Sequence, residues 1–279
     1  MSSPLLNNTA KGKSPLAFFM LAVAIYVPFA IFAGVQVFPN WSLINFGAFI
    51  PMLVALILVF RENGTGGMVE LLKRSFDYKR IRSKTWYLPV FLLIPFTVLV
   101  QYGLALLSGS PISSPYFPAS WPLLFVILFV AALGEELGWM GYLFEPIQER
   151  FGALKASILL GILWALIHIP LFTSSSVSSY WIVWQLIYVA ATRVLFVWIY
   201  NNTGRSIFAV VMLHALFNSV WFLFPRNENW VGLARPVFYN PTGLAVITIV
   251  LVIVITFLWG PKTLAQYRYT PPGRLQAGK

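Results

Sequence analysis

Two adjacent carboxylates, Glu135 and Glu136, end an apolar run that carries no hydroxyl, amide or charged side chain after Ser120. A charged carboxylate inside hydrocarbon is costly, and two carboxylates side by side also repel each other. A chain keeps such a pair at depth only when partners or chemistry offset that cost. The pair therefore indicates a functional site, and a buried carboxylate is suited to act as a general base near neutral pH.

The two histidines of the chain, His168 and His214, also fall within apolar segments. The remaining acidic residues are expected in loops: Glu62, Glu70, Asp77, Glu145, Glu149 and Glu228. Every histidine and every intramembrane carboxylate could therefore meet in one helical bundle. With a helical rise of about 1.5 Å per residue, Glu135, His168 and His214 lie roughly 12–18 Å from the same membrane side.

Several reaction chemistries are excluded by residues that the chain lacks. It has no cysteine, no His-Glu-x-x-His run, no Gly-x-Ser-x-Gly elbow and a single aspartate, Asp77. A carboxylate and an imidazole acting on water remain, with a His and an Asn donating hydrogen bonds to a developing oxyanion. A second possibility stays open, because Glu135, His168 and His214 could instead hold a single zinc ion with one open position.

Helical spacing groups further residues with the histidines. Trp164 lies four residues before His168, and Asn218 lies four residues after His214, so each pair shares a helix face. Pro170 is expected to end or kink the helix just beyond His168. We therefore expect His214 and Asn218 to face one cavity.

The two carboxylates need not share one role, because neighbouring residues on a helix point about 100° apart. A structural alternative for the pair is an ion pair with Arg193, which falls in a later apolar segment. Small residues at helical spacing predict a ridge on which another helix can approach closely: Gly134, Gly138 and Gly141.

The elements that must position these residues are membrane-spanning helices. The chain is 59% hydrophobic and 10% charged, with a mean hydropathy of +0.78, far from the roughly one-quarter charged composition of soluble domains. A span needs about 20 mostly apolar residues. We predict an all-α polytopic membrane protein, a single transmembrane domain over 1–279, with about eight helices: 15–38, 43–60, 87–108, 121–143, 156–173, 181–200, 205–224 and 242–260.

The basic residues give an orientation for this bundle. With the N-terminus in the cytoplasm, most of them fall in cytoplasmic segments or span edges: Lys11, Lys13, Arg61, Lys73, Arg74, Lys79, Arg80, Arg82, Lys84, Arg150, Lys155, Arg205, Lys262, Arg268, Arg274 and Lys279. The outer loops carry only Arg226 and Arg235. This asymmetry predicts that both termini are cytoplasmic. The net charge of +11 is interpreted as membrane-surface charge, so we expect the lipid bilayer, and no nucleic acid, as a partner.

Residues 120–225 resemble the CAAX prenyl protease and bacteriocin-processing family, also called the Abi family. The first family motif, Glu-Glu-x-x-x-Arg, is similar to the segment from Glu135 to Met140. The second motif is an aromatic residue, then three residues, then His, and it matches Trp164 and His168. The third, His-x-x-x-Asn, matches His214 and Asn218. Order and spacing agree for all three motifs, although Met140 replaces the motif arginine.

The resemblance implies an intramembrane endopeptidase whose catalytic core is residues 120–225. It implies that Glu135 and His168 activate water, that His214 and Asn218 form an oxyanion hole, and that Glu136 supports the site. Members are often labelled metalloproteases, but a metal-free glutamate mechanism is also argued, so the cofactor is either none or one zinc ion. The substrate would be a prenylated, bacteriocin-like or other membrane-associated peptide, in the plasma membrane of a prokaryote.

Loss of the motif arginine at Met140 keeps other functions open. Arg193 could compensate; otherwise the chain could be a non-enzymatic scaffold or immunity protein that binds a peptide or partner in the same cavity. A proton-coupled transporter that uses Glu135 and Glu136 as a relay is a third possibility. The absence of obvious internal repeats disfavours the transporter.

Overall fold

The computed structural model describes residues 13–32, 34–38, 41–110, 112, 114–173, 177–225 and 235–265. Its α-helices are α1 (Pro15–Ile31), α2 (Ile50–Lys73), α3 (Tyr87–Leu107), α4 (Trp121–Gly138), α5 (Phe144–Phe151), α6 (Ala153–Leu166), α7 (Ile169–Thr173), α8 (Ser179–Asn202), α9 (Ile207–Ser219) and α10 (Pro241–Trp259).

Within the described ranges, five helical segments are long and apolar enough to cross a membrane: Phe46–Phe76, Lys84–Leu107, Trp121–Phe151, Ser179–Asn202 and Pro241–Trp259. Three further apolar helices are shorter: Pro15–Ile31, Ala153–Leu166 and Ile207–Leu223. The prediction of an all-α polytopic membrane protein is confirmed. The predicted number of about eight spans stays a prediction.

The first predicted span, 15–38, is wrong at its end. α1 stops at Ile31, and a short antiparallel ladder follows between β1 (Gln36–Phe38) and β2 (Trp41–Ser42). Valine and aromatic side chains such as Val37 and Phe38 favour extended backbone, which explains why hydropathy alone overextended the helix.

The second predicted span is displaced. A 3₁₀ segment, Leu43–Phe49, precedes α2, and α2 continues to Lys73 instead of ending at residue 60. Gly64 interrupts it with φ of 64°, a conformation that glycine adopts without a Cβ clash. Glu62 and Glu70 therefore lie on a helix, and the expectation that both fall in loops is wrong.

The carboxylate helix also extends further than predicted. α4 runs into a π-helical turn, Trp139–Leu143, and then directly into α5. Glu145 and Glu149 consequently lie on a helix, and the placement of both in a loop is wrong. Glu145 is only 2% exposed, so the chain buries a third carboxylate besides Glu135 and Glu136.

The predicted glycine ridge is confirmed by the packing of α4. A Cβ on Gly134 would lie 2.7 Å from the carbonyl oxygen of Ala48, and one on Gly138 would overlap the backbone of Pro51. A Cβ on Gly141 would meet the side chains of Leu71 and Ile207. These glycines let α2 and its preceding 3₁₀ segment contact α4 backbone to backbone beside the carboxylate pair.

The expected cytoplasmic ends lie together at one end of the bundle. Lys13, Arg74 and Arg205, from three separate segments, all approach the carboxylate of Glu145 within 3.6 to 3.9 Å. This placement agrees with the predicted topology, whereas the side of the membrane that this end faces stays a prediction. Five basic residues used in the charge argument lie outside the described residues: Lys11, Arg226, Arg268, Arg274 and Lys279.

Candidate functional site

Glu135 is held on α4 by a tryptophan of α6. The indole Nε1 of Trp164 donates a hydrogen bond of 2.5 Å to Oε2 of Glu135. The other carboxylate oxygen, Oε1, lies 4.0 Å from Nε2 of His214 on α9. Glu135 is 9% exposed, whereas its neighbour Glu136 is fully buried. Of the two carboxylates, only Glu135 therefore has access to the space outside the packed core.

Glu136 is the centre of a buried ion pair. One terminal guanidinium nitrogen of Arg193, on α8, donates to both carboxylate oxygens at 2.8 and 2.7 Å. Nδ1 of His214 lies 2.7 Å from Oε1 of the same carboxylate. Trp164 donates to Glu135 and Arg193 donates to Glu136, in agreement with the different directions of the two carboxylates on the helix. His214 lies near both carboxylates. The ion pair with Arg193, considered as a structural alternative for the carboxylates, is present at Glu136.

The contact with Glu136 determines that Nδ1 of His214 carries a hydrogen. A carboxylate is an acceptor, so Nδ1 of His214 carries a hydrogen and donates it. Nε2 is then directed toward Glu135, and it can donate as well only when the ring is a cationic imidazolium. The His214 ring packs edge-on against Trp164, with ring centroids 5.3 Å apart.

His168 lies between α6 and α7, where Pro170 prevents one continuous helix, as the sequence predicted. Its Nδ1 lies 2.7 Å from the carbonyl oxygen of Trp164. Because a carbonyl only accepts, Nδ1 carries the hydrogen and Nε2 of a neutral His168 keeps a free lone pair.

Trp164 joins these groups. Its indole holds Glu135, its carbonyl holds His168, and its ring lies 4.0 Å from the guanidinium carbon of Arg193. The sequence related Trp164 to His168 by spacing alone, and nothing in the sequence revealed the hydrogen bond to Glu135. A tryptophan indole has one donor and no acceptor, so its buried partner must be an acceptor such as this carboxylate.

Asn218 lies one turn beyond His214 on α9 and is half-buried. Its side chain makes no hydrogen bond with any residue that the structure describes. α9 itself is fixed at its start, where Asp77 accepts hydrogen bonds from the backbone N–H groups of Ile207 and Phe208 at 3.3 and 3.1 Å. The expectation that Asn218 and His214 face one cavity stays a prediction.

Met140, at the position of the motif arginine, is fully buried in the π-helical turn. Residue 140 follows Glu136 by four positions, about one helical turn, and lies within the π-helical turn. A thioether cannot replace the hydrogen bonds of a guanidinium. The cation beside Glu136 comes from α8 instead.

The described residues do not form a zinc site. Zinc at a catalytic site needs three protein ligands at about 2.0–2.2 Å. No three His, Cys, Asp or Glu side chains of the described ranges lie close enough together to hold a metal ion. Glu135, His168 and His214 as placed therefore do not fit the zinc alternative.

A second buried polar cluster was missed from the sequence. Tyr200 donates a hydrogen bond of 2.6 Å to Glu145, and Lys13, Arg74 and Arg205 surround the same carboxylate. Burial lowers the pKa of the Lys13 amino group, with Glu145 opposing that effect. The five residues come from distant parts of the chain, so no local pattern could have revealed the cluster.

Comparison with known proteins gives two matches. The model of the family described as type II CAAX prenyl endopeptidase Rce1-like matches residues 117–220. The CAAX prenyl protease 2 of Methanococcus maripaludis is 32% identical over 188 residues, which cover 62% of this chain and 68% of that relative. Both matches are to endopeptidases and support protease activity in general. The chain belongs to the Rce1-like family of CAAX prenyl endopeptidases.

Proposed function

We propose that this protein is an intramembrane endopeptidase that hydrolyses a peptide bond with water activated by Glu135. One observation carries the proposal. Trp164 holds one oxygen of the Glu135 carboxylate, while the other oxygen lies 4.0 Å from Nε2 of His214. A separation of that size between two polar groups leaves room for a bridging water or a substrate oxygen.

In the proposed reaction, Glu135 accepts a proton from the attacking water as a general base. Nε2 of His168 accepts a hydrogen bond from the same water, because Nδ1 is occupied by the carbonyl of Trp164. The water oxygen bonds to the carbonyl carbon of the peptide. When the carbon–nitrogen bond breaks, Glu135 returns its proton to the leaving amine, so one water is consumed and the base is restored.

The developing oxyanion would be stabilised by His214 and Asn218. Since Nδ1 of His214 donates to Glu136, Nε2 acts as a donor only in the imidazolium form. Glu136 holds the His214 ring through Nδ1, which gives Glu136 a supporting role without contact to substrate. The free amide of Asn218 supplies a second donor one helical turn away.

The substrate class follows from the relatives and the position of the site. The matched relative is named as a CAAX prenyl protease, so prenylated peptides are the first candidates, followed by other membrane-associated peptides. We further propose that residues 120–225 form the catalytic core, that both termini are cytoplasmic and that the site accepts substrate from that side. The excess of basic residues in the predicted cytoplasmic segments supports this orientation.

The test is cleavage of a mixed peptide library, including prenylated members, by purified protein in lipid. Glu135→Gln keeps the acceptor for Trp164 but removes the base, so we expect turnover to fall by about 10²- to 10⁴-fold with the fold intact. Glu149→Gln, a matched change at an exposed acid of α5, should cleave normally. A parallel assay of the wild type with a metal chelator tests the zinc alternative. We expect the wild type to keep its activity in that assay.

Cleavage by the wild type and by Glu149→Gln, but not by Glu135→Gln, supports the proposal. Equal cleavage by Glu135→Gln and the wild type would contradict the assigned base. Loss of wild-type cleavage on chelation, restored by added zinc, would contradict the metal-free reaction.

A further inference from the structure

Arg193, in the middle of α8, contacts both Glu136 and Trp164 of the candidate site. It is fully buried, and one terminal nitrogen of its guanidinium lies 2.7–2.8 Å from the two oxygens of Glu136. Its guanidinium carbon lies 4.0 Å from the ring centroid of Trp164, a distance typical of a cation–π contact. Glu136 in turn holds His214, and Trp164 holds Glu135.

Stability alone does not explain this arrangement. Removing two charges from water is expensive, and apolar side chains of similar volume often replace a buried ion pair without loss of stability. The Nε atom and the second terminal nitrogen of Arg193 also make no hydrogen bond with the described residues, although both are buried. Those unpaired donors add to the cost of burying the guanidinium, so its two contacts must serve another purpose.

We propose that Arg193 is the positioning residue that fixes the hydrogen-bonding groups of the site, an inference that rests on the proposed endopeptidase function. Through Glu136 it orients Nε2 of His214, and through the ring of Trp164 it orients the indole N–H that holds Glu135. Arg193 does not act on the substrate itself. It sets the geometry between the groups that do.

The position of the cation can be exchanged experimentally. Residue 140 lies one turn from Glu136, and in this chain it is the buried, uncharged Met140. In the double variant Met140→Arg with Arg193→Met, the same two side chains exchange places and the guanidinium returns within reach of Glu136. The exchange restores the ion pair but not the contact of the guanidinium with Trp164 from α8.

The experiment measures kcat and KM for peptide cleavage in lipid for the wild type, Arg193→Lys, Arg193→Met and the exchange variant. Arg193→Lys keeps the charge but loses the planar group that pairs and stacks, so we expect kcat to fall roughly tenfold with KM within about twofold. Arg193→Met should lose roughly 100-fold in kcat, the effect of a displacement of about 1 Å. The exchange variant should recover part of that loss, and Arg150→Lys, at an exposed arginine of α5, is the control.

The inference would be overturned if Arg193→Lys or Arg193→Met kept the wild-type kcat, or if catalytic efficiency fell only through a higher KM. Either result would leave the proposed function in place. If Arg193→Met does not fold, the comparison of Arg193→Lys with the wild type decides. The pairing also has a readout that needs no activity. Unfolding temperatures of Glu136→Gln, Arg193→Lys and their combination should be non-additive, and additive effects would contradict the pairing even if the wild type cleaved no peptide.

Discussion

The indole nitrogen of Trp164 lies 2.5 Å from Oε2 of Glu135, and this one contact gives the carboxylate its direction. The carbonyl oxygen of the same tryptophan accepts a hydrogen bond from His168. Both groups that the proposed reaction places on the water are therefore held by a single residue at the end of α6. Movement of that helix end would displace the base and the imidazole together.

Trp164→Phe should impair catalysis more than stability. The variant keeps an aromatic ring beside Arg193 but removes the donor to Glu135, so we expect kcat to fall by about 10- to 100-fold. Trp198→Phe is the matched control, because the buried Nε1 of Trp198 makes no hydrogen bond in the described part of the chain. Steady-state cleavage and thermal unfolding of both variants check this; a similar kcat for both would argue against a role for the indole N–H.

Asn218→Ala should lower kcat by about 10²- to 10³-fold if the amide stabilises an oxyanion. The Asn218 side chain has no hydrogen-bond partner among the described residues, so the unfolding temperature of the variant protein should hardly change. Asn202→Ala gives the opposite pattern, because Asn202 donates to the carbonyls of Trp198 and Leu264 and lies away from the site. An Asn218→Ala enzyme with wild-type kcat would remove Asn218 from the mechanism.

Gly138→Ala should destabilise the protein by roughly 1–3 kcal/mol, because the added Cβ would overlap the backbone of Pro51, which cannot rotate away. Gly66→Ala on α2 is the control. No atom lies within 4 Å of a Cβ built there, and replacing glycine in a helix stabilises it by about 0.5–1 kcal/mol. Chemical or thermal unfolding in detergent should show shifts of opposite sign for the two variants.

Tyr142→Phe should loosen the π-helical turn that follows the carboxylate pair. The hydroxyl of Tyr142 donates to Glu62 on α2 at 2.5 Å and accepts from the backbone N–H of Ser14 at 3.1 Å. Leaving such groups unpaired costs about 1–3 kcal/mol, so the unfolding temperature should drop. Tyr87→Phe, which removes a hydroxyl without a hydrogen bond to the described residues, should leave it unchanged; equal shifts would show that the Tyr142 hydroxyl contributes nothing.

The helical membrane fold was predictable because hydropathy reports directly on the solvent around each segment. Predicted spans such as 181–200 and 242–260 lie within a residue or two of α8 and α10. Local backbone changes were not predictable. The ladder after Ile31 follows from local strand preference, which hydropathy does not encode. The π-helical turn after Gly138 packs against Leu71 and Ile207, which are distant in sequence.

In the candidate site, too, some features were predictable from the sequence and others were not. Spacing grouped Trp164 with His168 because both lie on one short stretch of helix. The Glu136–Arg193 ion pair was foreseen only because few charges occur inside the spans. The Glu145 cluster was not foreseen, because α5 had been placed in a loop. The partners of Glu145 come from the N-terminal segment, the 3₁₀ turn after α2, α8 and the turn before α9.

The buried pair of Glu136 and Arg193 also has a consequence for how the chain enters the membrane. The two residues are 57 positions apart and lie on α4 and α8. Each charge alone is costly in a bilayer, at about 2.5–3.5 kcal/mol on insertion scales. Insertion of either helix into lipid is therefore unfavourable until the other helix is present to pair with its charge. We therefore expect α4 to remain in a hydrated or protein-lined environment during synthesis until α8 has been made and can neutralise it.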